Sequence, residues 1–315
     1  MERRTAMKSM KWLCLACVLI MVCSTLHADE CIQGNCVGGV GVKVFADGGR
    51  YEGEFRAGRK NGTGTYTFPD GTVYAGEFFD GERDGQGTET YPDGGKYVGG
   101  FENGQRSGQG TLTLADGQEY SGDFLNGRPN GRGTAKFANG DLYVGEFVDN
   151  KFNGQGTYNF ADGSQYTGQW RDGVRNGQGT MTYPDGESYT GEFRDGMFAG
   201  QGTYRFRDGA EYTGEWAEGK RNGYGVMLSA DGRKYTGGWF NDEKSGQGTE
   251  TFPDGRRYSG DYANGRMHGQ GIMIFADGKK YTGEFNEDRI HGQGTLTMPD
   301  STRLSGRFDN GTYMP

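Results

Sequence analysis

From residue 51 onward the chain alternates apolar and polar positions in short runs that return every 23 residues. Tyrosine stands at 51, 74, 97, 120, 143, 166, 189, 212, 235, 258 and 281, and Leu304 takes the next place. A typical unit reads Tyr166-Thr-Gly-Gln-Trp170-Arg-Asp-Gly173-Val-Arg-Asn-Gly177-Gln-Gly179-Thr-Met-Thr-Tyr183-Pro-Asp185-Gly186, and no insertion breaks the register between 51 and 303. Self-similarity at a fixed period marks an array of identical supersecondary units. Within each unit Tyr-x-Gly-Glu-Phe/Trp alternates with the period of a half-exposed strand. Asp-Gly, as at Asp80-Gly81 and Asp172-Gly173, turns the chain. Gly-x-Gly-Thr-x-Thr-Phe/Tyr supplies a second strand, and Pro-Asp-Gly, Ala-Asp-Gly or Asn139-Gly140 turns it back. These turns need positive φ, which glycine adopts without penalty. One unit is therefore one β-hairpin. Consecutive hairpins must pair side by side, so the predicted fold is all-β: an elongated single-layer antiparallel meander of about 23 strands.

The pleat assigns the faces, since successive side chains point to opposite sides. Tyrosine, the first glycine and Phe/Trp share one face, joined by Tyr158, Phe160, Tyr204 and Phe206 of the second strands. Glu146, Thr157, Glu192 and Thr203 point the other way. Paired glycines such as Gly145 and Gly156 remove side chains from the ring-bearing face and leave room for large rings from adjacent strands to lie over them. Asn150, Asp242 and Asp288 replace the turn glycine, and Ser229 replaces an aromatic. Ser301 follows Asp300 where glycine is expected, which predicts that the regular sheet degrades near the C-terminus.

The pattern Tyr-x-Gly-Glu-Phe/Trp-x-x-Gly-x-x-x-Gly-x-Gly, followed by an Asp-Gly turn, resembles the MORN repeat (membrane occupation and recognition nexus) over residues 51–303. Val37 to Arg50 and Leu304 to Gly311 resemble half-units in the same register. Such ends suit the caps of a repeat array. The resemblance implies a twisted, curved sheet that serves as a scaffold or binding platform. Some members are fused to enzymes, whereas the repeats here leave no residues for a catalytic domain.

The N-terminus does not follow the period. Arg3, Arg4, Lys8 and Lys11 precede an apolar stretch from Trp12 to Leu26, which ends in Leu26-His27-Ala28. A basic start, a short apolar run and a small-residue site predict a signal peptide over residues 1–28. An uncleaved anchor is the competing reading, although the stretch falls short of the roughly 20 residues that span a bilayer. The domain organisation expected is then a signal peptide (1–28), an N-terminal cap (29–50), eleven repeats (51–303) and a partial repeat (304–315). The segment carries four basic residues and Glu2, so its removal moves the net charge from −8 to −11. So acidic a chain does not broadly attract nucleic acid or anionic lipid. Removal also leaves Cys31 and Cys36 as the remaining cysteines, in Cys-Ile-Gln-Gly-Asn-Cys. In an oxidising compartment two such cysteines predict a disulfide; the alternative, a zinc site, lacks further Cys or His nearby. The localisation expected is export: periplasm, cell surface or secretion.

Chemistry beyond this is sparse. His268 and His291 hold equivalent places in neighbouring repeats, about 10 Å apart for two strand spacings, too far for one metal ion. Each Asp-Gly turn offers one carboxylate, so a calcium array is the weaker reading and a plain turn the stronger. Asn61-Gly-Thr63 and Asn310-Gly-Thr312 are formal glycosylation acceptors that the turn reading also explains. No catalytic residue, cofactor, metal or small-molecule substrate is expected.

Charge and rings leave two candidate surfaces. Arg59, Lys60, Arg83, Arg106, Arg128, Lys151, Arg175, Lys220, Arg221, Lys244, Arg266 and Arg289 fall at two adjacent positions of the first turn, along one edge of the ribbon. The opposite edge turns basic late, at Arg233, Lys234, Arg256, Arg257, Lys279, Lys280 and Arg303, a candidate anion-binding set. An aromatic face on a single-layer sheet has no second layer to cover it, and contiguous apolar surface of that kind marks interaction sites. The candidate partner-binding residues are Tyr143, Phe147, Tyr166, Trp170, Tyr189, Phe193, Tyr212, Trp216, Tyr235 and Trp239, where three tryptophans stand at positions that are Phe in most other units. The leading expectation is a non-enzymatic scaffold that binds a protein partner at the cell envelope. The alternative is binding to an anionic lipid surface through the basic turns of the C-terminal third.

Overall fold

A computed structural model describes residues 28–314. The signal segment expected over residues 1–28 therefore lies outside the described residues, apart from Ala28. The described residues contain no helix; they form one 26-stranded antiparallel sheet, with strands numbered β1 to β26 in chain order. Each strand pairs with its neighbours in sequence, from β1 (Glu30–Gly34) against β2 (Val40–Val44) to β25 (Arg303–Asp309) against β26 (Thr312–Met314). The strand count exceeds the expected one because both ends add pairing strands of their own.

The two strands of a hairpin differ in length, a feature that alternation alone did not reveal. In the central unit β11 (Leu142–Val148) has seven residues and β12 (Lys151–Asn159) has nine. The ladder runs in register to Gly145 opposite Gly156, then shifts so that Glu146 faces Asn153. Gly154 and Gln155 form the bulge, with Gly154 at φ 59°. Glycine is required there because a bulge residue in the left-handed region cannot carry a Cβ cheaply. The strand glutamate secures the bulge: the Gln155 amide donates to Glu146 Oε1 at 3.1 Å. In the first unit Glu54 accepts from the Thr63 amide in the same way, and that bond holds its carboxyl below the usual range.

The other glycines of the motif answer to a steric demand. The Tyr143 ring lies flat across Gly145 and Gly156, and a Cβ on Gly156 would overlap its hydroxyl. That hydroxyl donates to the Glu146 carbonyl at 3.0 Å, and the ring is fully buried. Phe147 of the same unit and Trp170 of the next both meet it edge-on, at centroid distances of 5.1 and 5.5 Å. Edge-to-face contact is a favoured geometry for aromatic pairs. The same clamp recurs along the array, for example at Tyr74 between Phe78 and Phe101 and at Tyr281 between Phe285 and Phe308. A single sheet thus builds its core from rings laid on glycines, and burying each ring contributes roughly 1.5–3 kcal/mol.

The ends follow the same rules. Cys31 and Cys36 are bonded, tying β1 to the turn that leads into β2. The expected decay near Ser301 does not occur: Ser301 itself takes φ 70°, its amide donates to the Met298 carbonyl, and β24 (Arg289–Thr297) pairs in regular register with β25. Asn150, Asp242 and Asp288 likewise adopt the positive φ of the glycine they replace.

Candidate partner-binding face

All ten candidate partner-binding residues sit inside the ring layer. Tyr143, Tyr166, Tyr189, Tyr212 and Tyr235 are 0–1% exposed, and Phe147, Trp170, Phe193, Trp216 and Trp239 are 3–8% exposed. The Trp170 and Trp216 indole N–H groups donate to the carbonyls of Gly156 and Gly202 at 3.3 and 3.2 Å. The Trp239 indole N–H has no acceptor; the Arg221 guanidinium stacks over that ring at 4.4 Å. The surface above this layer is made by side chains of the second strands and turns. Tyr158, Phe160, Tyr183, Phe198, Tyr204 and Phe206 are half-buried and packed on the layer. Phe198 stacks flat on Tyr189 at 3.8 Å, as Phe152 does on Tyr143.

The basic first turns divide between the two faces. Arg59, Arg128, Lys151 and Arg266 point to the outer face, each pairing with an acidic residue of the next unit: Asp80, Asp149, Asp172 and Glu287 respectively. These pairs are more than half exposed, where such contacts contribute little. The next residue along the strand alternates to the ring face, so Lys60, Arg83, Arg106, Arg175, Arg221 and Lys244 lie over aromatic rings. Cation–π stacking holds them there.

Two buried carboxylates escaped the sequence reading. Glu89 and Glu250 occupy the ring-face place of Tyr66 or Tyr158 and are 8% and 3% exposed. Glu89 accepts from Arg83 at 2.5 Å, Arg106 at 2.9 Å and the Tyr91 hydroxyl at 2.5 Å. Glu250 accepts from Lys244 at 2.5 Å and from the Tyr262 hydroxyl at 2.9 Å. Burial, with the Glu250 charge beside it, raises the Tyr262 phenol well above its ordinary value. The signal was present as a glutamate in an otherwise apolar column at a 23-residue step. Of the six ring-face cations, Lys60 and Arg175 meet no carboxylate within ion-pair distance among the described residues.

The candidate anion-binding set also divides. Arg233, Arg256 and Lys279 bind the aspartates of their own turns, Asp231, Asp254 and Asp277. Lys234, Arg257, Lys280 and Arg303 begin the alternate strands β19 (Lys234–Phe240), β21 (Arg257–Ala263), β23 (Lys280–Asn286) and β25. They stand exposed on the outer face, in register with exposed Leu228 and Ile274, about 10 Å apart. His268 lies exposed on β22 (Arg266–Ile274), separated from His291 on β24 by β23; His291 Nδ1 is 3.4 Å from Asp309. The second-turn aspartates cap their own turns, as when Asp70 accepts from the Thr72 amide at 2.9 Å, which lowers its carboxyl.

A family model described as MORN repeat matches eleven segments: 51–73, 74–96, 97–119, 120–142, 143–165, 166–188, 189–211, 212–232, 235–256, 258–280 and 281–303. No curated protein matches the chain. Among solved structures, the TCP domain of SAS-4 (dCPAP) from Drosophila melanogaster, in complex with a proline-rich motif of Ana2, is 13% identical. That match covers 60% of this chain and 99% of that one, at a TM-score of 0.34. The TCP10 domain of CPAP from Danio rerio with a peptide of STIL is 15% identical over 90% of this chain and 99% of that one, at a TM-score of 0.19. Virginiamycin B lyase from Staphylococcus aureus is 10% identical over 90% and 88% of the two chains, at a TM-score of 0.15. Similarity at this level carries no function across.

Proposed function

The chain belongs to the MORN repeat family, and from that premise we propose that it is an exported, non-enzymatic scaffold that holds a protein partner against its ring-bearing face at the cell envelope. One observation carries the reading. The half-buried rings and the stacked cations of the second strands form a continuous surface on one side of a single-layer sheet, and no described residue folds back over it. Aromatic and arginine side chains are enriched among residues that dominate binding energy. The buried ten, Tyr143 to Trp239, act as its floor: they fix the positions of the rings above and do not meet the partner themselves. Export is supported by the basic and apolar start of the sequence and by the Cys31–Cys36 bond, which suits an oxidising compartment.

A photo-crosslinking residue at Phe160 or Phe206 on the ring face, compared with one at Val144 or Thr190 on the outer face, tests the reading in cells. Adducts confined to the ring-face sites are expected; adducts confined to the outer face would overturn it. Intact mass of the recovered protein reads the rest, with cleavage near Ala28 and a mass two hydrogen atoms below the dithiol form expected.

The outer-face quartet Lys234, Arg257, Lys280 and Arg303 favours a second reading, attachment to an anionic lipid surface. Flotation with phosphatidylserine vesicles at low and high salt tests it, since binding through four such cations must weaken steeply as salt rises.

A further inference from the structure

One unit of the array departs from the rest on its ring face. In β10 (Arg128–Lys136) the two ring-face positions that elsewhere carry long side chains hold Pro129 and Ala135. The equivalent pair is Lys60 with Tyr66 in the first unit, Phe152 with Tyr158 in the next and Phe198 with Tyr204 further along. With both side chains cut short, the layer opens into a depression of about 440 Å³ walled by Leu112, Leu114, Phe137 and Phe152. Leu114 is 45% exposed at its rim, an uncovered branched side chain beside an apolar hollow. Four strands away, on β14 (Val174–Thr182), Arg175 is, with the distant Lys60 of the first unit, one of two ring-face cations without a carboxylate among the described residues: it stacks at 5.7 Å over Tyr166 and Phe193, and its Nη1 lies 3.7 Å from the Met181 sulfur. Its counterparts Arg83, Arg106, Arg221 and Lys244 all have one. Between hollow and cation lies a track of rings, Phe152, Tyr158 and Phe160, without a cation at the place that Phe152 holds.

Resting on the ring-face reading above, we propose that this stretch is the principal docking site and that its occupant is an extended peptide running across the strands. The peptide places a bulky apolar side chain in the Pro129–Ala135 hollow and a carboxylate on Arg175. The spacing sets its length. Four strand steps of about 4.8 Å make roughly 19 Å, which an extended chain covers in about six residues. A half-buried guanidinium stacked on rings and lacking an internal anion is suited to a carboxylate, which it can bind through two parallel N–H groups. The hollow is suited to a single large side chain, because a desolvated pocket at the centre of a contact surface is where an anchor residue gains most.

The full chain, immobilised, is offered a displayed library of random 12-residue peptides, and the enriched sequences are measured against three variants. Enriched peptides are expected to carry an aromatic or branched residue with Asp or Glu five to seven positions away. Ala135→Tyr, which restores the side chain found at 66, 158 and 204, is expected to weaken them at least tenfold while leaving the melting temperature within a few degrees. Changing the peptide's acid to its amide should weaken binding to the unaltered chain but not to Arg175→Gln. Peptides that bind Ala135→Tyr and Arg175→Gln as well as the unaltered chain, yet lose affinity to Tyr204→Ala, would overturn this site and leave the ring-face reading intact. Enrichment that no ring-face variant disturbs would overturn both. Self-association that Ala135→Tyr abolishes, seen by sedimentation, would assign the hollow to a second copy of the chain instead.

Discussion

At the scale of single residues, the glycines of one repeat do different work. Gly154 supplies a backbone conformation, while Gly156 supplies an absence: the Tyr143 ring occupies the space a Cβ would take. Gly156→Ala must displace a ring that is fully buried and hydrogen-bonded to the Glu146 carbonyl. A cost of about 2–4 kcal/mol is expected from overpacking together with the lost bond, read as a lower midpoint in urea. Asn150→Gly is the contrasting control. Asn150 already holds φ 66°, so glycine there is expected to be neutral or to stabilise by up to about 1 kcal/mol. Equal loss from the two substitutions would show that the ring–glycine contact is not what holds the layer.

At the scale of the hairpin and its neighbours, stability lies in contacts that bridge units. Each tyrosine is clamped by a ring of its own unit and a ring of the next, and Glu89 is gripped by Arg83 of its own strand and Arg106 of the following hairpin. Removing one partner of a buried ionic group leaves the other charged and desolvated, which is more costly than never having built the pair. Glu89→Gln is expected to destabilise the chain by about 3 kcal/mol. Glu89→Leu combined with Arg83→Leu and Arg106→Leu should recover much of that loss, because an apolar column is what most other units use. Urea melts of the single and triple variants separate the two effects; a triple variant no better than the single one would contradict the account.

At the scale of the whole molecule, 26 strands in one sheet give a contour of about 120 Å at 4.8 Å per strand. Small-angle scattering is expected to return a radius of gyration well above the roughly 20 Å of a globule of this length. The tyrosine ladder also sets an alkaline limit. Burial pushes the phenols of Tyr51, Tyr74, Tyr97, Tyr166 and Tyr212 up to about 12 from an ordinary 10. The folded chain therefore holds protons that the unfolded chain releases, and stability falls as pH rises between those values. The contribution is complete below pH 10 and is lost as pH climbs through 12. Phenolate absorbance should appear together with loss of the β circular dichroism signal in that window. Free titration near pH 10 with the sheet intact would show that the rings are solvated.

The fold was legible before any coordinates because each repeat is self-sufficient in its signals: alternation, Asp-Gly turns and a fixed step leave one way to pair consecutive hairpins. The paired glycines were legible as room for a ring, but not whose ring: adjacent strands were expected to supply it, and it comes from Tyr143, on the strand of Gly145 itself. The candidate site was legible only as a face. Alternation places Tyr143 and Phe152 on the same side, but not which of them lies beneath the other. That depends on Tyr143 folding back across Gly145 and Gly156 while Phe152 stacks over it, a matter of side-chain direction and of the residues on adjacent strands. The basic turns divided for a related reason. Arg59 and Lys60 are adjacent in sequence and so on opposite faces of the pleat, one paired with Asp80 in solvent and the other lying on rings. By itself the sequence determined the strand, the turn and the order of pairing, because these rest on contacts a few residues apart. Which rings are core and which are surface, where the buried carboxylates find their cations and where the layer opens at Ala135 were decided by the tertiary structure, because each depends on what the neighbouring repeat places across a strand boundary.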